Sequence, residues 1–257
     1  MGRALWQAEE RATQVPLVSV RYPEADLEDA YAIQAELVAA RYRAGHKRVG
    51  WKIGLTSRAM QEALGITTPD SGVICDDMIF APGSVIPKGR FIQPRIEAEL
   101  AFVLKADLAG DGVTRADVIA ATDHIRPAIE ILDTRILRKD PATGQMRSVI
   151  DTIADNAANG GLVSLPVAIP PDTDLRWIGA IVRRDGVVEE TGLGAGVLDD
   201  PVLGIVWLCH RLAQFGQGLK AGEIVLSGSF IRPVECPPGT EVAADFGPWG
   251  TIRFAFG

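Results

Sequence analysis

Two carboxylates, Glu97 and Glu99, lie two positions apart in an otherwise apolar run from Arg95 to Leu104. The run predicts a β-strand, in which side chains alternate between the two faces, so Arg95, Glu97 and Glu99 share one face. Neighbouring carboxylates on one face repel each other unless water or a cation separates them. A solvated face is one interpretation. The apolar residues that continue the strand favour burial on both faces, and hence a cation between the carboxylates.

A third carboxylate, Glu130, stands in the apolar run Ile129–Leu132. An ionised carboxylate in apolar surroundings is costly unless it is paired or bound to a metal. Three carboxylates without histidine or thiolate suit a hard cation such as Mg²⁺ or Mn²⁺, which leaves coordination positions open for water and substrate. The sequence therefore indicates a cation site built from Glu97, Glu99 and Glu130.

Three other polar residues have a functional and a structural interpretation each. Lys52 lies in an apolar stretch and can face an anionic substrate or extend to the surface. Asp70 can act as an acid or base, but Pro69-Asp70-Ser71-Gly72 is also typical of a turn. Arg232 can hold a carboxylate in a two-pronged hydrogen bond or be solvated at the surface. Residue pattern alone leaves all three open.

The elements that position these residues change character along the chain. Apolar residues spaced by three and four predict a helix from about Glu24 to Arg43, followed by a strand at 48–54 and a short helix at 58–64. After Pro69, proline and glycine separate short β-branched runs. These runs predict strands at 83–87, 96–104, 176–183, 222–226 and 251–256. We expect an α+β fold, with a helical N-terminal portion (1–68) and a β-rich catalytic domain (69–257) forming one integrated unit.

Local signals place two further helices and one hairpin within the β-rich part. Thr114 can cap a helix that runs to about Thr122. Asp200 followed by Pro201 predicts a second helix, which runs to Phe215. Asp185-Gly186 is typical of a type I′ hairpin turn.

Composition narrows the class of protein. The chain has 257 residues, 47% of them hydrophobic, which is enough to bury a full core. Its 33 acidic and 26 basic residues give a net charge of −7, and the scattered basic residues argue against a nucleic-acid partner. Three cysteines without C-x-x-C spacing favour a reducing compartment, and no apolar run approaches the ~20 residues of a membrane span. We therefore expect a cytoplasmic protein without a membrane partner.

Several sequence blocks occur together, in the order known from one enzyme family. They are KIGLTSRAMQ at 52–61, PDSG at 69–72, DDM at 76–78, RIEAELAFVL at 95–104, PAIEI at 127–131, DTIADNAA at 151–158 and GSFIRP at 228–233. With these blocks the chain resembles, over nearly its whole length, the hydratase/decarboxylase family of meta-cleavage pathways, within the fumarylacetoacetase-like superfamily. The resemblance implies mixed β-structure with a helical N-terminal portion.

The resemblance also implies an activity and its residues. The family's magnesium ligands correspond to Glu97, Glu99 and Glu130, with Mn²⁺ as the alternative ion, and its catalytic lysine and aspartate correspond to Lys52 and Asp70. The implied reaction is the addition of water to a small unsaturated 2-oxo acid in aromatic catabolism. Members assemble as homo-oligomers, in five-fold rings or paired rings.

The sequence leaves two points open: the length and charge of the substrate, and whether the reaction is hydration or decarboxylation. A dioate substrate needs a cation for its far carboxylate, and we expect Arg232 or Arg58 to supply it. A 4-oxalocrotonate-type decarboxylase and a hydratase for the monocarboxylate 2-oxopent-4-enoate are the alternatives, because the same ligands serve them. A non-catalytic acid-binding protein is disfavoured, since it needs no proton donor.

Overall fold

Two β-sheets and a group of helices make up the computed structural model, which describes residues 1–58, 61–62, 66 and 68–257. The helices are α1 (Gly2–Glu10), α2 (Val18–Arg21), α3 (Leu27–Arg43), α4 (Arg115–Ala121), α5 (Val149–Ala154) and α6 (Pro201–Ala213). The helix predicted at 58–64 falls largely on positions outside the described residues. Among the helices within the described ranges, none combines the length and apolar character needed to cross a bilayer.

The larger sheet carries the candidate site. The strands of the molecule are β1 (Arg48–Gly54), β2 (Asp70–Cys75), β3 (Ile79–Phe80), β4 (Val85–Ile86), β5 (Arg95–Leu104), β6 (Leu108–Ala109), β7 (Thr122–Leu132), β8 (Asn159–Ser164), β9 (Gly179–Arg184), β10 (Val187–Leu193), β11 (Gly218–Leu219), β12 (Ile224–Leu226), β13 (Val234–Glu235), β14 (Glu241–Asp245) and β15 (Thr251–Phe256). The larger sheet has the order β2-β1-β12-β5-β7-β8-β3, with β13 also paired to β5. A smaller sheet has the order β10-β9-β14-β15-β4, and β6 pairs with β11.

Local sequence signals account for the helix ends and the hairpin. The Asp26 side chain accepts hydrogen bonds from the backbone nitrogens of Glu28 and Asp29 and so caps α3. Thr114 and Asp200 cap α4 and α6 in the same way, which confirms both predicted helix starts. The turn between β9 and β10 has φ values of 52° and 81° at Asp185 and Gly186, as the hairpin signal predicts. Mixed sheets with few helices confirm the α+β fold class.

Glu9, at the end of α1, is one of the residues that tie the N-terminal helices to the rest of the molecule. It lies 2.6 Å from Arg41 and 3.2 Å from Arg90, and Arg135 is 3.7 Å away. Burial alone would raise the pKa of Glu9, but the surrounding guanidiniums outweigh it and lower this pKa to about 2. The ionised form of Glu9 is therefore built into the fold.

Strand β1 links the helical segment to the larger sheet. It pairs in parallel with β12 and antiparallel with β2, so residues before position 68 form an interior strand of that sheet. Its apolar residues Trp51 and Ile53 are buried in the main core. The proposed division of the chain at 68/69 stays a prediction.

Candidate active site

Three glutamates converge at the centre of the larger sheet because of the pairing between β5 and β7. Glu97 stands directly opposite Glu130 in the antiparallel register, and Glu99 is two residues further along β5. One carboxylate oxygen from each residue lies within 4.8 Å of the others. Glu99 and Glu130 are 0% exposed, while Glu97 is partly buried. The cluster predicted from the two apolar runs thus exists as a buried unit.

Each of the two fully buried glutamates has one oxygen held by the protein. The backbone nitrogen of Gly228 donates to Glu99 Oε2, and Asn159 Nδ2 donates to Glu130 Oε1, both at 2.8 Å. The second oxygens, Glu99 Oε1 and Glu130 Oε2, are buried and have no hydrogen-bond donor among the described residues. Buried acceptors without donors are rare in folded proteins, and these two oxygens are suited to coordinate a metal ion.

The pKa shifts of the glutamates also indicate that the cluster binds a cation. Burial, together with the repulsion of Glu130, raises the pKa of Glu97 to about 8, and the same causes raise the pKa of Glu99 well above its ordinary value. Three buried carboxylates cannot all stay ionised without a compensating cation. Oxygen ligands alone suit a hard divalent ion. The donor set therefore fits Mg²⁺ or Mn²⁺.

Lys52 and Asp70 lie next to the glutamates on β1 and β2. The Lys52 ammonium is buried, donates a 3.0 Å hydrogen bond to the Ala157 carbonyl oxygen and lies 3.5 Å from Glu130 Oε2. Asp70 is also buried, and its Cα pairs with that of Gly54 in the β1–β2 register. A Cβ at Gly54 would come within 2.3 Å of Asp70 Oδ1 and 2.8 Å of Lys52 Nζ, so only glycine leaves this space open.

The two groups differ in the protonation state that their surroundings favour. Burial alone would lower the pKa of Lys52, but the nearby carboxylates, Glu130 first, raise it, so the ammonium stays charged. Burial raises the pKa of Asp70, while the charges of Lys52 and Arg147 act against that rise. The site thus combines the charged ammonium of Lys52 with the carboxyl group of Asp70, which can hold or release a proton.

A tight left-handed turn supplies two of the site's contacts. Asn156, Ala157 and Ala158 have φ values of 52°, 52° and 58°, a conformation that non-glycine residues rarely adopt in succession. The side chain of Asn156 holds the turn through hydrogen bonds to the backbone nitrogen and oxygen of Val73, at 2.8 and 2.9 Å. Backbone strain of this kind collects at functional sites, and here it places Ala157 and Asn159 beside Lys52 and the glutamates.

The buried Arg135 fixes both ends of this turn. Its side chain donates to Asp155 and to the carbonyl oxygen of Asn159, the latter at 2.8 Å. Arg147 reaches the other oxygen of Asp155 at 3.0 Å. A buried guanidinium paired in this way is costly to disturb, which makes the turn a rigid support.

Comparison with known proteins identifies the family. No family model matches the chain. The chain is 48% identical over 257 residues to the 2-oxo-hept-4-ene-1,7-dioate hydratase of Escherichia coli, covering 100% of this chain and 96% of that protein. The chain belongs to the hydratase/decarboxylase family. This confirms the resemblance seen in the sequence blocks.

Solved structures agree with the family assignment. The 4-oxalocrotonate decarboxylase from Pseudomonas putida G7, complexed with magnesium and adipate, is 31% identical and has a TM-score of 0.92, covering 99% of this chain and 95% of its own. A fumarylacetoacetate hydrolase from Exiguobacterium antarcticum, at 16% identity and a TM-score of 0.59 over 81% of this chain and 74% of its own, shows the shared fold alone. The hydratase/decarboxylase family thus has the fumarylacetoacetase-like fold expected from the sequence.

The two arginines predicted to bind substrate do not lie at the glutamate cluster in the structure. Arg58 is 91% exposed and pairs with Glu62, and Arg232 is 80% exposed and pairs with Glu190 at 2.6 Å. Within the described residues, neither guanidinium forms an ion pair with the glutamate cluster. Both assignments stay predictions.

Sequence reasoning missed the residues that support the cluster. Asn159 and the backbone groups of Gly228 and Ala157 contact the functional side chains, but a backbone group carries no residue-type signal. The one available signal was Asn156, since asparagine is enriched in left-handed turns.

Proposed function

We propose that the protein is a divalent-metal-dependent hydro-lyase that adds water to 2-oxo-hept-4-ene-1,7-dioate and forms 4-hydroxy-2-oxoheptanedioate. The buried cluster of three carboxylates with two oxygens lacking a donor among the described residues, beside a charged lysine, is the observation that carries this proposal. The 48% sequence identity with a hydratase that is named for this dioate supports the same substrate.

Glu97, Glu99 and Glu130 would hold Mg²⁺, with Mn²⁺ as the alternative. When bound, such an ion polarises the 2-oxo group of the substrate and lowers the energy of negative charge on its oxygen by several kcal/mol. Gly228 and Asn159 fix one oxygen of Glu99 and of Glu130, so the orientation of both carboxylates is set before binding.

Proton transfer falls to Asp70 and Lys52. Removing a proton from carbon three and returning one to carbon five moves the double bond from between carbons four and five to between carbons three and four. Carbon four is then conjugated with the 2-oxo group and electrophilic, so the hydroxyl of water adds there and the water proton ends on carbon three. Asp70 accepts and returns the proton, as its raised pKa allows, and the Lys52 ammonium stabilises the developing negative charge.

The second candidate is a 4-oxalocrotonate-type decarboxylase, favoured by the high structural similarity to that enzyme. In 4-oxalocrotonate, loss of the carboxylate far from the 2-oxo group as carbon dioxide leaves its electron pair conjugated with that group as a dienolate, so Lys52 can serve both reactions. A mass measurement of the product decides between them. The protein is incubated with Mg²⁺ and with 2-oxo-hept-4-ene-1,7-dioate or 4-oxalocrotonate in separate reactions. We expect 2-oxo-hept-4-ene-1,7-dioate to gain the mass of one water. Loss of carbon dioxide without hydration would contradict the proposal.

We further propose a homo-oligomer in the cytoplasm, in a five-fold ring or paired rings. Exposed apolar side chains on and next to the hairpin of β9 and β10, including Trp177 and Val187, support burial against another copy. The three buried free cysteines support a reducing compartment. Light scattering coupled to gel filtration tests the assembly, and a monomer at micromolar concentration would contradict it.

A further inference from the structure

Three arginines outside the proposed catalytic set lie close together, and we call them the arginine cluster: Arg95, Arg138 and Arg147. Arg95 begins β5, and the other two belong to the segment between β7 and α5. Arg138 pairs with Glu235 Oε1 at 2.6 Å, and Arg95 Nε lies 3.7 Å from the same oxygen. The backbone nitrogen of Arg147 donates to the carbonyl oxygen of Arg138 at 2.9 Å. One glutamate thus faces two guanidiniums, and the third arginine is joined to Arg138 through the backbone.

Each member of the arginine cluster has an unused hydrogen-bond donor. Arg95 Nε, Arg138 Nε and Arg147 Nη1 are buried, and none has an acceptor in the part of the chain that the structure describes. Burial and the nearby Arg138 guanidinium lower the pKa of Arg95. Buried polar groups are normally hydrogen-bonded, so three unused donors on like-charged side chains indicate a place for an anion.

The arginine cluster adjoins the glutamates. Arg95 and Glu97 point to the same face of β5, two residues apart, which corresponds to about 7 Å along a strand. Arg147 pairs with Asp155, which precedes the left-handed turn that contributes Ala157 to the site. An anion bound here would therefore lie beside the metal-binding cluster.

The proposed substrate supplies such an anion. A divalent ion and Lys52 together only balance the three glutamates, which leaves the second carboxylate of a dioate without a cation. We propose that the arginine cluster binds this far carboxylate, with Arg95 as the main contact, an assignment that rests on the proposed function. The exposed Arg58 and Arg232 are less suited, because solvated ion pairs contribute little.

The test compares a dioate with a monocarboxylate. Arg95→Gln and Arg138→Gln are assayed on 2-oxo-hept-4-ene-1,7-dioate and on 2-oxopent-4-enoate, which lacks the far carboxylate. Loss of a charged hydrogen bond should lower the ratio of the two kcat/KM values by roughly 10- to 100-fold in Arg95→Gln and less in Arg138→Gln. The matched control Arg253→Gln, at an exposed position, should keep the wild-type ratio, and Arg232→Gln tests the alternative assignment. An equal loss on both substrates, or a fall in the ratio confined to Arg232→Gln, would overturn the assignment.

A binding measurement separates this inference from the proposed function. Calorimetry in the presence of Mg²⁺ compares adipate, a dicarboxylate, with hexanoate, its monocarboxylate counterpart. Wild-type protein should bind adipate more tightly, and Arg95→Gln should lose most of that preference. If neither 2-oxo acid is turned over, the proposed function fails but the preference for adipate still tests the arginine cluster. Equal binding of both acids by the wild type would refute it.

Discussion

The ammonium group of Lys52 donates a hydrogen bond to the carbonyl oxygen of Ala157, a residue held in the left-handed conformation with a φ of 52°. This contact fixes the ammonium 3.5 Å from Glu130. The lysine is buried, so its position does not depend on a flexible surface conformation. The left-handed turn after α5 thus fixes the position of the Lys52 ammonium, which belongs to strand β1.

Replacement of Lys52 by methionine should lower kcat by 10²- to 10⁴-fold, because it removes the charge that stabilises the dienolate while keeping the length of the side chain. Mg²⁺ affinity should not fall, since the change removes a cation next to the glutamates. Steady-state kinetics and calorimetry measure the two effects, with the exposed Lys88→Met as control. Weaker Mg²⁺ binding together with an unchanged kcat at saturating Mg²⁺ would contradict the role of Lys52.

Replacement of Glu99 by glutamine should lower metal-dependent turnover about a thousandfold, roughly 4 kcal/mol in activation free energy. The melting temperature should not fall, because the change removes a buried charge among like charges. Titration with Mg²⁺ and thermal melting check both statements, with the exposed Glu10→Gln as control. Wild-type activity that survives dialysis against EDTA would eliminate the metal site.

Replacement of Gly54 by alanine should reduce turnover by at least about 100-fold, as expected when a proton-transferring group is displaced. The new methyl group would overlap Asp70 Oδ1, at 2.3 Å, and crowd Lys52 Nζ. Gly112→Ala is the matched control, because a Cβ there meets no atom within 4 Å among the described residues. Kinetics of both variants at saturating Mg²⁺ provide the measurement. Normal activity in Gly54→Ala would show that Asp70 is free to move away.

Acid should destabilise the protein through Glu9. Its pKa is about 2 in the folded state and about 4.5 when unfolded, so its stabilising effect is complete above pH 4.5 and is lost as the pH falls to 2. The difference corresponds to roughly 3 kcal/mol. Urea unfolding from pH 6 to pH 3 should show a steeper loss of stability in the wild type than in Glu9→Gln. Parallel curves for the two proteins would refute this contribution.

The sequence predicted the three glutamates because alternation in a strand is a local property. Glu97 and Glu99 reveal their shared face within one apolar run, and Glu130 reveals its burial from its immediate neighbours. The pairing that brings Glu97 opposite Glu130 joins residues 33 positions apart, and local periodicity contains no information about it. Capping signals at Thr114 and Asp200 predicted the starts of α4 and α6, while α3 was predicted from its apolar periodicity and begins three residues later than expected.

Other parts of the site depend on tertiary contacts that no local pattern records. Helix α1 was not predicted, since its last turn is held by ion pairs from Glu9 to arginines of distant segments. The assignment of Arg58 and Arg232 to a far carboxylate rests on residue type alone, and it stays a prediction. The grouping of Arg95 with Arg138 and Arg147 becomes visible only when β5 and the segment after β7 are placed together.

The register between β5 and β7 restricts how this protein can change over time. Side chains alternate between faces, so a one-residue insertion or deletion between Glu97 and Glu99 would turn one of these two ligands to the opposite side of the sheet. All three glutamates would remain in the sequence, yet they would no longer meet. Descendants of this chain can exchange residues along these strands, but changes in length are confined to the connecting loops.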